Sequence, residues 1–257
     1  MRRLFIAVAI AASVAGGCLL TSDFDGVAGA RPDGEGGAEG GADVDAGSSS
    51  PCASGDHVVC TDFDHAGGAF PPPGWNSNVG DGGALLMDDT TSISPPRSLS
   101  ARLEGANSPS AYITRQAFIA SFKTLTLAFD TRIETCPAQG KSITVAYVEP
   151  STRVSFGIVF LSSGVQAVGA SVNGVPTFFQ LQKQIPEQTW SHVVLRMELR
   201  DASTSHLTVT VDGATSVDTD APGGPAKASV QINLGLVGAG VSAPCEMRFD
   251  DYVLDRE

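Results

Sequence analysis

From residue 98 onward the chain alternates apolar and polar side chains with a period of two, and this pattern constrains its fold more than any other feature. Leu125, Leu127, Phe129, Thr131 and Ile133 alternate with Thr126, Asp130, Arg132 and Glu134. Val193, Leu195, Met197 and Leu199 alternate with Val194, Arg196, Glu198 and Arg200. Successive side chains of a strand point to opposite faces, so each run has one buried face and one wet face. The same reading predicts strands over 98–103, 111–118, 143–148, 154–161, 165–172, 177–181, 207–211, 229–237 and 247–254. Ser163-Gly164, Asn173-Gly174 and Asp212-Gly213 separate several of them, and the last two dipeptides suit tight hairpin turns. No segment carries a convincing helical period. Roughly a dozen strands without helices predict an all-β, two-sheet antiparallel sandwich over 52–257, a single domain.

Thr189-Trp190-Ser191-His192-Val193-Val194-Leu195, followed by Leu207-Thr208-Val209-Thr210-Val211-Asp212-Gly213, resembles a tryptophan-led strand and hairpin of concanavalin-A-like and laminin-G-like jelly rolls. The opening Cys60-Thr61-Asp62-Phe63-Asp64 with Gly74-Trp75, and the closing Phe249-Asp250-Asp251-Tyr252-Val253-Leu254, are similar to the first and last strands of such modules in carbohydrate-active proteins. The resemblance implies that these two strands lie side by side, and that Trp75 and Trp190 pack in the core. It also implies a structural calcium on Asp64 and Asp251, with Asp62 or Asp250 as further ligands. The strand phase that points Met247, Phe249 and Val253 inward points Asp251 inward too, and a buried carboxylate needs compensation. Two carboxylates, carbonyls and water suffice for calcium. The competing reading pairs Asp251 with backbone or with an arginine such as Arg248 or Arg102.

The amino terminus has a different character. Arg2 and Arg3 precede an apolar run from Leu4 to Val14, then small residues, then Cys18. The run is too short to cross ~30 Å of hydrocarbon, so residues 1–17 read as a cleavable export signal. Ala15-Gly16-Gly17-Cys18 resembles the lipobox of bacterial lipoproteins, departing from its usual leucine at Ala15. That resemblance implies a membrane anchor of diacylglycerol and palmitate-type chains on Cys18, and two or more chains hold firmly where one does not. The competing reading is an ordinary signal cut near Ala15. Residues 18–51 are rich in glycine, alanine and acids, cannot bury enough apolar surface to order themselves, and are expected to form a disordered tether with a reach of roughly 30 Å. The expected location is the bacterial cell envelope, lipid-anchored at the outer membrane or cell surface.

Of the five cysteines, four remain once Cys18 carries lipid, an even number suited to disulfides in an oxidising compartment. Three pairings are open to four cysteines. Cys52 with Cys60 and Cys136 with Cys245 are favoured, the first closing a short loop and the second joining a strand end to the last strand. A zinc site on Cys52, His57, Cys60 and His65 matches no ribbon or finger spacing.

The net charge is −12, and loss of residues 1–17 removes Arg2 and Arg3 and no acid, leaving near −14. Nucleic acid is therefore not an expected partner. No nucleophile elbow, HExxH helix or phosphate loop is present. Asp130-Thr131-Arg132-Ile133-Glu134 has the spacing of a jelly-roll glycosidase strand, but an arginine between two carboxylates lowers both pKa values and spoils the acid that the reaction requires. His57, His65, His192 and His206 are scattered. The leading expectation is a non-catalytic glycan-binding or adhesion module, monomeric, whose concave sheet presents Tyr112, Arg132, Glu134 and Arg196, with Phe178 as a further stacking ring. The alternatives are a polysaccharide-degrading glycosidase or lyase of jelly-roll type and a structural envelope lipoprotein.

Overall fold

A computed structural model describes residues 51–53, 57–64, 70–105, 107–119, 122–137, 141–151, 154–201, 203–223, 229–238 and 240–257. The expected signal peptide, Cys18, nearly all of the expected tether and His65 lie outside the described residues. After a short 3-10 turn (Pro51–Ala53) the strands are β1 (Val59–Thr61), β2 (Asn76–Val79), β3 (Gly83–Asp88), β4 (Ser98–Leu103), β5 (Ser110–Phe118), β6 (Thr124–Thr135), β7 (Ile143–Ser151), β8 (Val154–Phe160), β9 (Gln166–Val172), β10 (Val175–Gln180), β11 (Trp190–Leu199), β12 (Thr204–Val211), β13 (Ala214–Pro222), β14 (Ser229–Gly238) and β15 (Cys245–Arg256). They form two antiparallel sheets in a jelly-roll sandwich. One runs β13-β12-β11-β6-β15-β4-β3, with β1 also on β15, and the other runs β10-β9-β8-β7-β14-β5-β2.

The period-two runs place the core. Leu125, Leu127, Phe129 and Ile133 of β6 and Val193, Leu195 and Met197 of β11 are buried, facing Ile113, Ile232, Leu234, Phe156 and Ile158 of the second sheet within one apolar cluster. Asn173-Gly174 and Asp212-Gly213 make two-residue hairpin turns in which both residues have positive φ, the conformation these dipeptides tolerate. β1 pairs with β15, so the first and last strands do lie together. Trp75 is buried, edge-on to Tyr252 with ring centroids 5.4 Å apart. Trp190 is only half-buried and stands opposite Arg132, on the outer side of its sheet rather than in the core.

Both favoured disulfides are present. Cys52–Cys60 closes an eight-residue separation, and Cys136–Cys245 ties the end of β6 to the start of β15. This chemistry also removes Cys52 and Cys60 from any zinc set.

The last strand departs from its expected phase. The pairing of β15 with β6 shifts register between Asp250 and Val253, and Asp251 has φ 46°. This is a β-bulge, which inserts an extra residue and reverses the inward face beyond it. Met247 and Phe249 point inward before the bulge, but Tyr252 and Leu254, not Val253, continue the core after it. Asp251 therefore occupies the bulge instead of the core face.

Candidate functional site

Five strands of the second sheet align their outward residues into one row. Phe178 of β10 is opposite Gly169 of β9, Gly169 is opposite Gly157 of β8, and Gly157 is opposite Tyr147 of β7. Tyr147 in turn is opposite Asn233 of β14. With strands ~4.8 Å apart, Phe178 and Tyr147 stand about 14 Å from each other. The two residues between them have no side chain, so backbone floors the gap. A Cβ on Gly169 would come within 3.2 Å of Val159 and 3.3 Å of the Phe178 ring, and one on Gly157 would run into the Ala146 carbonyl and Tyr147. Glycine in a strand interior sacrifices packing, and here it opens a cleft.

That cleft has a volume of about 440 Å³ and is walled by Phe178, Pro176 and Tyr147, with Thr144, Ser155 and Ser171 contributing hydroxyls. Phe178 is 43% exposed, a ring offered to solvent. Among the described residues lining the cleft, Glu149 carries the charge. An aromatic wall, a flat backbone floor and a few hydroxyls suit a small polar ring with apolar faces.

The same inventory can be set beside what bond cleavage requires. A glycosidase requires two carboxyl groups across the bond, and among the described residues Glu149 supplies one to this cleft. A lyase requires a base that loses its proton readily. Burial, then the neighbouring Glu149 and Tyr112, push the Tyr147 phenol up to about 12, so it stays protonated at neutral pH.

The charged residues singled out from the sequence lie elsewhere. Arg132 and Glu134 of β6 and Arg196 of β11 are on the outer face of the first sheet, whereas Tyr112 of β5 is on the outer face of the second, so the four do not form one surface. Glu134 is gripped by Arg132 at 3.0 Å and by Arg248 at 2.7 Å, Arg248 also meets Asp88, and Arg196 reaches Glu257 at 3.5 Å. These are ion pairs along a sheet face. Phe178 alone of the suggested binding side chains lines the cleft. Tyr147, Glu149, Gly157, Gly169 and Asn233 were not picked out from the sequence, although isolated glycines inside the β8 and β9 patterns signal a close backbone approach.

The candidate calcium ligands gather at the bulge. Asp250 is fully buried, and its carboxylate accepts N–H bonds from Ile93, Ser94 and Asp251 at 3.0–3.2 Å. Asp251 accepts the Ser94 hydroxyl at 2.9 Å, and Asp64 accepts the Arg97 N–H at 3.0 Å. Arg248 and Arg102 are paired with other acids, Arg102 with Glu104. Burial and the Asp251 charge push Asp250 up to about 8 despite its N–H bonds. Asp251 is raised by burial, opposed by the Ser94 bond, and further by the charges of Asp130, Asp64 and Asp62. The donors are hard oxygens and the charge excess is one that a cation would relieve, so the chemistry fits calcium. Among the described residues no three His, Cys, Asp or Glu side chains are spaced to grip one ion, so carbonyls and water would complete its shell.

No protein-family model matches the chain, and no curated protein matches it. Among solved structures it is similar to the cellulose-induced protein Cip1, at TM-score 0.57 and 13% identity over 76% of this chain and 96% of that one. A carbohydrate esterase from a Shiga toxin-encoding bacteriophage, phi24B, aligns at 0.56 and 11% over 78% and 98%. An endo-β-1,4-glucuronan lyase from the fungus Trichoderma reesei aligns at 0.53 and 11% over 72% and 92%. At such identities the likeness is one of fold.

Proposed function

We propose that the domain is a non-catalytic glycan-binding module whose site is the cleft on the outer face of the β10-β9-β8-β7-β14-β5-β2 sheet. The observation that carries this reading is the pair of rings, Phe178 and Tyr147, flanking a glycine floor. Three neighbours in fold are named for carbohydrate chemistry or cellulose induction, which adds support without deciding between binding and cleavage. Wild-type protein incubated with a glycan panel is expected to be retained by one or more members and to release no new reducing or unsaturated ends. Phe178→Ala is expected to weaken retention by about tenfold, the order of one stacked ring lost. Product release would place the protein among the degrading enzymes instead.

The module would be displayed at the bacterial envelope by lipid on Cys18, with residues 19–51 as its tether. Membrane fractionation checks this: wild type sediments with membranes, and Cys18→Ala appears in the soluble exported fraction. Calcium held by Asp64 and Asp251, with help from Asp62 or Asp250, would be structural and remote from the cleft's own strands.

A further inference from the structure

Phe118 is 82% exposed, the most exposed large apolar side chain among the described residues. Ala117 and Ile119 on either side of it are buried, so its ring stands on the outer face of the second sheet, the face that carries the cleft. β2 pairs with β5 from Ala111 to Thr114, so no described strand lies beside β5 where Phe118 stands. Edges are usually protected by charge, and this one presents a bare ring. A row of polar ends joins it to the cleft. One pleat over from the row of Phe178 and Tyr147, Ser171 of β9 is opposite Ser155 of β8, and both line the cleft. In the same row Glu149 of β7 is opposite Gln231 of β14, and Gln231 is opposite Gln116 of β5. Gln231 and Gln116 are exposed, and Phe118 is the next outward residue after Gln116.

Resting on the glycan-binding reading above, we infer that Phe118 is a second stacking subsite of the same face, and that the ligand is an extended polysaccharide chain rather than a short saccharide held in the cleft alone. The register fixes the distance. Through its partners the Phe178 row reaches Asn233 and then Thr114 of β5, and Phe118 lies further along that strand. At ~4.8 Å per strand and ~3.3 Å per residue, Phe178 and Phe118 are about 27 Å apart. An unbranched chain advances about 5 Å per sugar ring, so roughly six rings span strands at this spacing, whereas the gap from Phe178 to Tyr147 holds about three. The phenyl ring at each end offers a flat apolar face to the C–H face of a sugar. Between them the Gln231 and Gln116 amides each offer donors and an acceptor, which meet sugar hydroxyls in either role. Two ring contacts made by one chain act together, the second being gained at the effective concentration that the first sets.

Affinity electrophoresis of the full chain through gels holding hydroxyethylcellulose, laminarin, xylan, galactomannan, alginate or pectate finds a polymer that retards it. Calorimetric titration with the trimer and hexamer cut from that polymer then tests the inference. Wild type is expected to bind hexamer about tenfold or more tightly than trimer. Phe118→Ala is expected to bring hexamer down to the trimer's affinity, while trimer affinity stays within about twofold and the melting temperature holds, since the side chain it removes faces solvent. Phe178→Ala is expected to weaken both lengths. Equal affinity for the two lengths in wild type, an undiminished hexamer in Phe118→Ala, or equal losses for both lengths overturns the inference. A Phe118→Ala variant whose sedimentation changes and whose glycan affinity does not would assign the ring to a second copy of this chain, and overturns it too. Where Phe178→Ala abolishes retardation and Phe118→Ala leaves it intact, the inference falls and glycan binding in the cleft stands. No retardation of wild type in any gel overturns both.

Discussion

Tyr147 and His206 show how single side chains answer to their neighbours. With its phenol pushed up to about 12, Tyr147 stays neutral throughout the ordinary working range, so glycan retention is expected to be flat from about pH 6 to pH 9. A titration with a break in that range would mean that another group controls the site. His206 is held at both ring nitrogens, by Asp218 at 2.7 Å and Asp220 at 2.9 Å. Only the imidazolium can donate from both, and the Asp220 bond accordingly raises its pKa. A raised folded pKa stabilises fully below the unfolded value near 6.5 and is lost as pH rises through the folded value. His206→Gln should remove that part of the pH dependence of melting, and a histidine titration by NMR should show His206 shifted upward, as His192 is by its bond to Asp130.

Strands differ in how much of themselves they write into the sequence. β6 and β11 were legible because each has a wet outer face beside a dry inner one, so alternation survives residue by residue. β2, with all four residues exposed, and β13, an edge with Val217 and Ala221 as its buried apolar residues, carry little alternation and went unpredicted. Polar edges are what protect a sheet from pairing with strangers, so the same physics that made them useful made them silent. The bulge in β15 was silent for a different reason: a single inserted residue leaves the composition unchanged and reverses the phase beyond it. The cleft was least legible, since its row is drawn from five strands whose register is fixed only by tertiary pairing. Asp250, at the bulge, has a measurable consequence. Because its folded pKa is about 8, metal-free protein is expected to lose stability as pH rises from about 4 to 8, where the unfolded chain has already released that proton. Asp250→Asn should flatten the slope. Added calcium should raise the melting temperature more at pH 8 than at pH 5, and chelator should reverse the gain; a melting temperature indifferent to calcium at both would remove the ion from the account.

On the scale of the whole molecule, one covalent tie joins distant parts of the chain. Cys136–Cys245 spans 109 residues, and closing so long a loop in the unfolded chain is worth up to about 5 kcal/mol in chain-entropy terms. Paired Cys136→Ala and Cys245→Ala substitution should lower the denaturation midpoint strongly, whereas the Cys52–Cys60 pair, eight residues apart, should contribute less. The two outer faces of the sandwich have distinct chemistry: the first sheet presents ion pairs and the acidic bulge, the second a cleft with rings and hydroxyls. The central claim is that ligand goes to the second. Amide chemical-shift mapping of the isotopically labelled chain, titrated with a fragment of the polymer that retains it, tests this directly. The account predicts shifts centred on Tyr147, Gly157, Gly169 and Phe178. Shifts centred on Arg132, Glu134 and Arg196, or on the Asp250-Asp251 bulge, would contradict it.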